Sequence, residues 1–263
     1  MKSMSEVEII RIDVSTRKAS PMTDCVAQEK PLHILLNRTH YVTIFCSPSN
    51  LKELATGHLL SEGIVKTIEE IQKIDLDDEG VCRVRLRSDI DLNKRLRLAK
   101  HFSRIILSAC GSKSPYQPTR RFPMVKSDLM VNAEVVLDSV KRLNFIAETF
   151  RKTGGVHVAA IFEKNGTLIA LAEDVGRHNA VDKVIGASAL EKVDFAKCFL
   201  ALSGRLTGDI VSKAACVGLP IIASLAAAID SGIAIAKRVN LTLVGFVRGM
   251  HMNVYTLPER MIL

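Results

Sequence analysis

Apolar and polar residues alternate from Val7 to Val14, and the same period of two recurs in His33–Leu36 and Tyr41–Phe45. That spacing predicts half-buried strands. Ser49-Asn50 then opens a stretch through Leu60 that sets Leu51, Leu54, Ala55 and Leu59 on one helical face, and Gly63 ends it. Ile71–Leu76 and Val81–Leu86 flank Asp77-Asp78-Glu79-Gly80, which predicts a hairpin. From Ser108 to Ser127 the pattern lapses into Ser, Gly, Pro, Lys and Arg, the texture of a loop or linker.

The second half is more regular. Ser127-Asp128 is placed to cap a long helix carrying Leu129, Val136, Val140, Leu143, Ala147 and Phe150 on one side, with Gly154-Gly155 as its stop. Val156–Phe162 and Thr167–Ala172 read as a hairpin across Asn165-Gly166. Helices near 178–190, 207–217 and 226–238 then alternate with strands at Cys198–Leu202, Ile221–Ser224 and Leu241–Phe246. Strands alternating with helices predict an α/β fold with a largely parallel sheet, made mixed by its opening hairpin. The expected organisation is an N-terminal α/β domain rich in short strands (1–107), a basic loop (108–126) and a C-terminal domain (127–263).

Composition narrows the function. The 263 residues include no Trp and 5% aromatics against 48% hydrophobic residues, so the core is aliphatic. A net charge of +8 points to an anionic partner. No run of five basic residues occurs and stacking aromatics are scarce, which disfavours nucleic acid. No apolar segment is long enough to span a bilayer, and residues 1–6 lack the apolar core of a signal peptide, so a cytoplasmic protein is expected. The six cysteines (Cys25, Cys46, Cys82, Cys110, Cys198, Cys216) show no Cys-x-x-Cys spacing and read as free thiols. Cys46, Cys82, Cys198 and Cys216 sit in apolar surroundings and read as small buried hydrophobes.

The candidate chemistry lies after strands. Glu173-Asp174-Val175-Gly176-Arg177-His178-Asn179-Ala180-Val181-Asp182-Lys183 packs seven polar or charged side chains into eleven residues directly after an apolar run, a cluster that reads as a ligand site more readily than as packing. Gly154-Gly155 with His157, Ser203-Gly204-Arg205 and Phe246-Val247-Arg248-Gly249 are the other polar clusters read as lying at strand ends. The carboxyl ends of parallel strands converge on one crevice. Glycines there admit close backbone approach and arginines hold phosphate in a forked geometry, so the expected ligand is phosphorylated or nucleotide-like. The plainer readings are a surface ion pair between Arg177 and Asp182, ordinary turn glycines, and a core role for His157. Cys110, in Ser108-Ala109-Cys110-Gly111-Ser112-Lys113 ahead of Arg120 and Arg121, has the positive surroundings of a reactive thiolate. No metal is expected: His157 is followed by Val158-Ala159 rather than x-Glu, so the zinc-deaminase pattern is missing, as are the common phosphate-loop and dinucleotide-loop patterns.

Thr153-Gly154-Gly155-Val156-His157, the 173–183 segment, Ser203-Gly204-Arg205, Leu241–Arg248 and, earlier, Leu54-Ala55-x-Gly57-His58-Leu59 with Glu62-Gly63-Ile64 resemble the formate dehydrogenase accessory sulfurtransferases, the FdhD family. The resemblance implies a C-terminal three-layer mixed sheet of the cytidine-deaminase-like kind without its zinc, a smaller N-terminal α/β domain, and a homodimer. It implies sulfur received as persulfide from a cysteine desulfurase on the residue matching Cys110. The sulfur would pass to the bis-molybdopterin guanine dinucleotide cofactor of formate dehydrogenase, a cargo that GDP can mimic. The family's cofactor contact matches Phe246, Val247, Arg248, Gly249, Met250 and His251; Arg177, His178 and Arg205 would line the anion pocket beside it. Where the family pattern has a second loop cysteine, this chain has Lys113. The alternative is a non-catalytic molybdenum-cofactor or guanine-nucleotide chaperone; a deaminase-type hydrolase lacks its ligands.

Overall fold

A computed structural model describes residues 3–99, 104–106 and 122–263. Cys110, Lys113, Arg120 and Arg121, on which the reactive-thiol reading rests, lie outside the described residues. The chain opens with an antiparallel ribbon of β1 (Met4–Asp13) and β2 (Lys18–Ala27). Ile10 and Ile12, two residues apart on one face of β1, remain exposed there.

A five-stranded sheet follows, in the order β5-β6-β3-β4-β7, from β3 (Lys30–Leu36), β4 (Thr39–Cys46), β5 (Ile71–Leu76), β6 (Val81–Leu86) and β7 (Arg104–Ile106). Two helices belong to this half, α1 (Leu51–Ser61) and α2 (Leu92–Ala99). The expected hairpin around 77–80 is β5–β6, antiparallel, with Asp77 Oδ1 accepting from the Glu79 (3.1 Å) and Val81 (2.8 Å) amides. The alternating strand at Val7–Val14 is β1; its partner β2 carried no equally clear alternation and was not expected.

The helix expected from Ser127 forms differently. Residues 123–130 are irregular, and Val131–Asn132 (β8) pairs in parallel with a C-terminal strand, Met261–Ile262. The helix α3 (Ala133–Ile146) starts only after Asn132, whose side chain accepts from the Glu134 amide at 2.7 Å. Ser127 instead donates to the Ala196 carbonyl at 2.6 Å and accepts from the Leu129 amide at 3.0 Å. The helix also breaks at Ala147, so that Glu148–Thr153 forms a separate turn-and-a-half, α4.

The remaining elements are β9 (His157–Glu163), β10 (Leu168–Asp174), α5 (Arg177–Leu190), β11 (Cys198–Leu202), α6 (Gly208–Val217), β12 (Ile221–Ser224), α7 (Asp230–Val239), β13 (Thr242–Arg248), β14 (His251–Thr256) and β15 (Met261–Ile262). They build a six-stranded sheet ordered β10-β9-β11-β12-β13-β14. β11, β12 and β13 are parallel, whereas β9 and β14 run against their neighbours. Because β10 is antiparallel to β9, it points the same way as β11. The carboxyl ends of β10, β11, β12 and β13 therefore lie along one edge, joined there by the first residue of β9, His157.

The two-residue period of the strands sorts the core into layers. Val158, Ala160, Phe162, Phe199, Ala201, Ile221 and Ala223 face α3, and the Phe162 and Phe199 rings stack at 5.5 Å. Ala159, Ile161, Leu200, Leu202 and Ile222 face α5, α6 and α7. That second layer is continuous with the core of the N-terminal sheet through Leu32, Ile34, Leu54 and Leu59. Helix α5 is thus enclosed on nearly every side, which decides the fate of its polar residues.

Candidate functional site

The polar segment at 173–183 is mostly structural. Asp174 and Lys183 are both fully buried and pair at 2.7 Å. The Asp174 carboxylate also accepts from the Ser47 amide (3.0 Å), the Gly176 amide (2.8 Å) and Asn179 Nδ2 (2.9 Å). Lys183 donates onward to the carbonyls of Ser47 (3.0 Å) and Glu173 (3.3 Å). Burial raises the Asp174 pKa, against the pull of Lys183 and its N–H donors. Glu173 caps α4 by accepting from the Thr149 (3.0 Å) and Phe150 (2.6 Å) amides.

Asp182 does not pair with Arg177 at the surface. It is 1% exposed and accepts from Lys213 Nζ (2.9 Å) and Ser61 Oγ (2.7 Å), with His58 Nδ1 at 3.2 Å. Burial opposes its charge, yet Lys213 and His58 hold its carboxyl below the usual range. Lys213 also pairs with Glu62 at 2.9 Å, and the two carboxylates together keep its ammonium charged against burial. Four side chains that read as ligand chemistry therefore tie α5 to α1, α6 and the end of β4. A buried ion pair left half-made costs several kcal/mol, which accounts for so complete a set of partners.

Arg177 and His178 are what this segment leaves near the strand-end edge. Arg177 is the first residue of α5 and is half-buried against Gly204. A side chain at Gly204 would meet Arg177 Cβ at 3.1 Å, Arg177 Cδ at 3.3 Å and His157 Nδ1 at 3.6 Å, so the absence of one brings these two residues side by side. Arg205 follows and is exposed, close enough to act on the His157 ring. His157 is not a satisfied core residue: it is half-buried, with Nδ1 3.5 Å from Ser203 Oγ. Burial, Arg177 and Arg205 lower its pKa, with Asp174 opposing them. His178 is pushed down to about 4 by burial and by Lys213 and Arg177, and its Nε2 is buried with no hydrogen-bond partner.

A hollow of about 360 Å³ opens at this edge, lined by Phe150, Gly154, Gly155, Val156, His157, Val175, Ser203 and Leu225. Its wall is mixed: aromatic and aliphatic carbon from Phe150, Val156, Val175 and Leu225, with imidazole and hydroxyl from His157 and Ser203. From sequence, Gly154-Gly155 with His157 counted among the polar clusters of this edge, with a core role for His157 beside it as the plainer reading; the structure puts the residue on the hollow. The clue available was its position, first on a strand after Gly154-Gly155 and therefore at a rim.

The 246–251 segment forms the turn between β13 and β14 at the same edge. Phe246 takes a left-handed conformation (φ 52°) beside a register shift between Gly245 and Arg248. A bulky residue there is strained, and such strain gathers at functional sites. Arg248 is exposed and its guanidinium lies 4.7 Å from the Phe246 ring centroid. Met250 and His251 are exposed, and Gly249 supplies the positive φ of 61° that the turn requires. The Val247 side chain is fully buried in the core, so Val247 can offer a ligand only its backbone. β13 stands two strands from β11, roughly 10 Å at the usual strand spacing. Arg248 thus lies along the edge from Arg177 and Arg205, and none of the three arginines lines the hollow itself.

Among the described residues, no group of three or more His, Cys, Asp or Glu side chains is placed to hold a metal ion, and no helix is long and apolar enough to cross a membrane. Cys46 and Cys82 are buried, and burial pushes both thiols up to about 12; Cys198 rises to about 11. Cys25 and Cys216 are half-buried.

Comparison with known proteins fits this layout. The sulfur carrier protein FdhD of Methanothermobacter thermautotrophicus is 36% identical over 262 residues and spans all of both chains. That of Bacillus subtilis is 33% identical over 245 residues, 92% of each chain. A crystal structure described as a formate dehydrogenase accessory protein, from Desulfotalea psychrophila, superposes with a TM-score of 0.79 at 28% identity, covering 99% of this chain and 100% of that one. The sequence model of the FdhD/NarQ family matches residues 27–262, and the chain belongs to that family.

Proposed function

We propose that this protein is a cytoplasmic sulfur carrier for formate dehydrogenase maturation. In this reading the Cys110 thiolate attacks the outer sulfur of a cysteine desulfurase persulfide. The new S–S bond leaves the sulfur on Cys110 and releases the desulfurase thiolate. The acceptor is a bis-molybdopterin guanine dinucleotide held at the strand-end edge, its phosphates near Arg177, Arg205 and Arg248. The C-terminal unit would be a cytidine-deaminase-like fold turned from hydrolysis to carriage, working as a homodimer.

The observation that carries the reading is the row of cations and glycines where β10, β11 and β13 end, beside a hollow with both carbon and polar walls, in a chain whose relatives are named sulfur carriers. With Lys113 in place of a second loop cysteine, the carrier has no neighbouring thiol in that motif to displace the sulfur. An external thiol would attack Cys110 Sγ, form a mixed disulfide and release hydrosulfide. That same substitution favours the second reading, a chaperone that holds the cofactor without transferring sulfur.

Incubation with a desulfurase and cysteine, followed by intact mass measurement, separates the two. A one-sulfur adduct that disappears in Cys110→Ala supports the carrier. No adduct, together with retained GDP binding and full maturation of formate dehydrogenase by Cys110→Ala, leaves the chaperone.

A further inference from the structure

We propose that His157 is a third anion-binding residue of this site, protonating as a nucleotide phosphate settles between it, Arg177 and Arg205. The inference rests on the nucleotide part of the function proposed above and adds a residue and a pH dependence to it.

The geometry comes first. His157 sits at the start of β9, on the wall of the hollow, and Gly204 lets Arg177 pack against the same spot. Ser203 Oγ accepts from the Val158 amide at 3.0 Å and stands 3.5 Å from His157 Nδ1, as donor to the neutral ring protonated on Nε2 or as acceptor when Nδ1 carries the hydrogen. The charged groups facing the ring are Arg177 from α5, Arg205 from the loop after β11 and Asp174 from the end of β10. Asp174 is already committed to Lys183, Gly176 and Asn179. Burial is the first cause and Arg177 the second; Asp174 pulls the other way more strongly than Arg205 adds to them, and the balance still lowers the His157 pKa and favours the neutral ring in the free protein.

A phosphate placed beside Arg177 and Arg205 reverses this balance. It cancels the cationic field and offers an acceptor to a protonated imidazole, so the bound state holds His157 charged more readily than the free state does. Binding must then take up protons, and affinity must rise as pH falls while the free ring is still neutral. The carbon surface of Phe150, Val156, Val175 and Leu225 gives the ring-shaped part of such a ligand a place to lie, which inorganic phosphate would not use.

Calorimetry with GDP in buffers of low and high ionisation enthalpy counts the protons. Wild-type protein is expected to take up a larger fraction of a proton at pH 7 than His157→Gln does. The comparison removes the ionisation of GDP itself, which is the same in both. Between pH 6 and pH 8 the wild-type affinity should weaken by more than that of the variant, by up to about tenfold per pH unit. Equal proton counts and parallel pH profiles overturn the proposal while leaving the nucleotide site standing. Failure of GDP to bind wild-type protein at any pH overturns both together. A second measurement needs no variant: the His157 ring resonance followed by NMR should titrate at higher pH with GDP than without it. An unchanged midpoint in saturating GDP overturns the proposal even if His157→Gln does not fold.

Discussion

Gly57 of α1 and Gly186 of α5 lie backbone against backbone. A Cβ on Gly57 would collide with the Asp182 carbonyl oxygen, and one on Gly186 with that of Glu53. The close crossing brings His58 and Ser61 of α1 onto Asp182 of α5, so the two glycines set the distance at which the buried polar cluster closes. Gly57→Ala or Gly186→Ala should therefore destabilise the protein by about 1–3 kcal/mol or more, as overpacking does. Urea denaturation measures it, and a loss of less than about 0.5 kcal/mol would show that the helices separate freely.

The Asp174–Lys183 pair makes a second prediction. Lys183→Met leaves a carboxylate in a fully buried position, which costs about 3–5 kcal/mol. Adding Asp174→Asn removes the orphaned charge and should recover part of that loss. The double-mutant cycle checks this: a double variant as unstable as the sum of the singles would mean that the pair is not coupled.

These two residues also show where sequence reading reached its limit. Asn165-Gly166 announced its hairpin because the turn needs a positive φ that glycine supplies, and Gly166 has φ 85°. Strands at 198–202 and 221–224 were legible because buried parallel strands are short unbroken apolar runs. Asp174, Asp182 and Lys183 looked like ligand chemistry because nothing local states that α5 will be covered by α1, whose sequence lies more than a hundred residues away. The expected cap at Ser127 lost to Asn132 for a similar reason: β8 pairs with residues 261–262, a partner no local window contains. The left-handed Phe246 left no local signal at all. Convergence of the strand ends was legible from the α/β alternation, and so was His157 as a candidate beside Gly154-Gly155; that it begins its strand, at the rim and not within the core, was not.

His178 predicts a pH dependence of stability. Its ordinary value of 6.5 falls to about 4 in the folded protein. Between those values the unfolded chain binds a proton that the native state refuses, so stability rises with pH across this window. On acidification from pH 7 the folded state should lose up to about 3 kcal/mol by pH 4 through this group alone. His178→Gln should flatten the curve of unfolding free energy between pH 4.5 and 6.5. A variant whose curve parallels the wild type would assign the dependence to other groups.

Gly204→Ala tests the geometry of the site with little disturbance elsewhere. The new methyl would lie 3.1 Å from Arg177 Cβ and 3.3 Å from its Cδ, a few tenths of an ångström too close, so Arg177 must give way at the start of α5, its Cβ with the backbone and its Cδ by rotation, and its guanidinium leaves its place beside His157. Arg177 is half-buried at a helix start, and the shift should cost less than about 1 kcal/mol of stability. GDP affinity should nevertheless fall by about fivefold or more, because a displaced guanidinium loses the short charged hydrogen bonds that phosphate requires. Arg177→Ala should weaken binding at least as much, and the two substitutions combined little more than Arg177→Ala alone, since both act through one side chain. Titration calorimetry on the three variants decides it: losses that simply add would mean that Gly204 serves the ligand by another route, such as direct backbone contact, and not by seating Arg177.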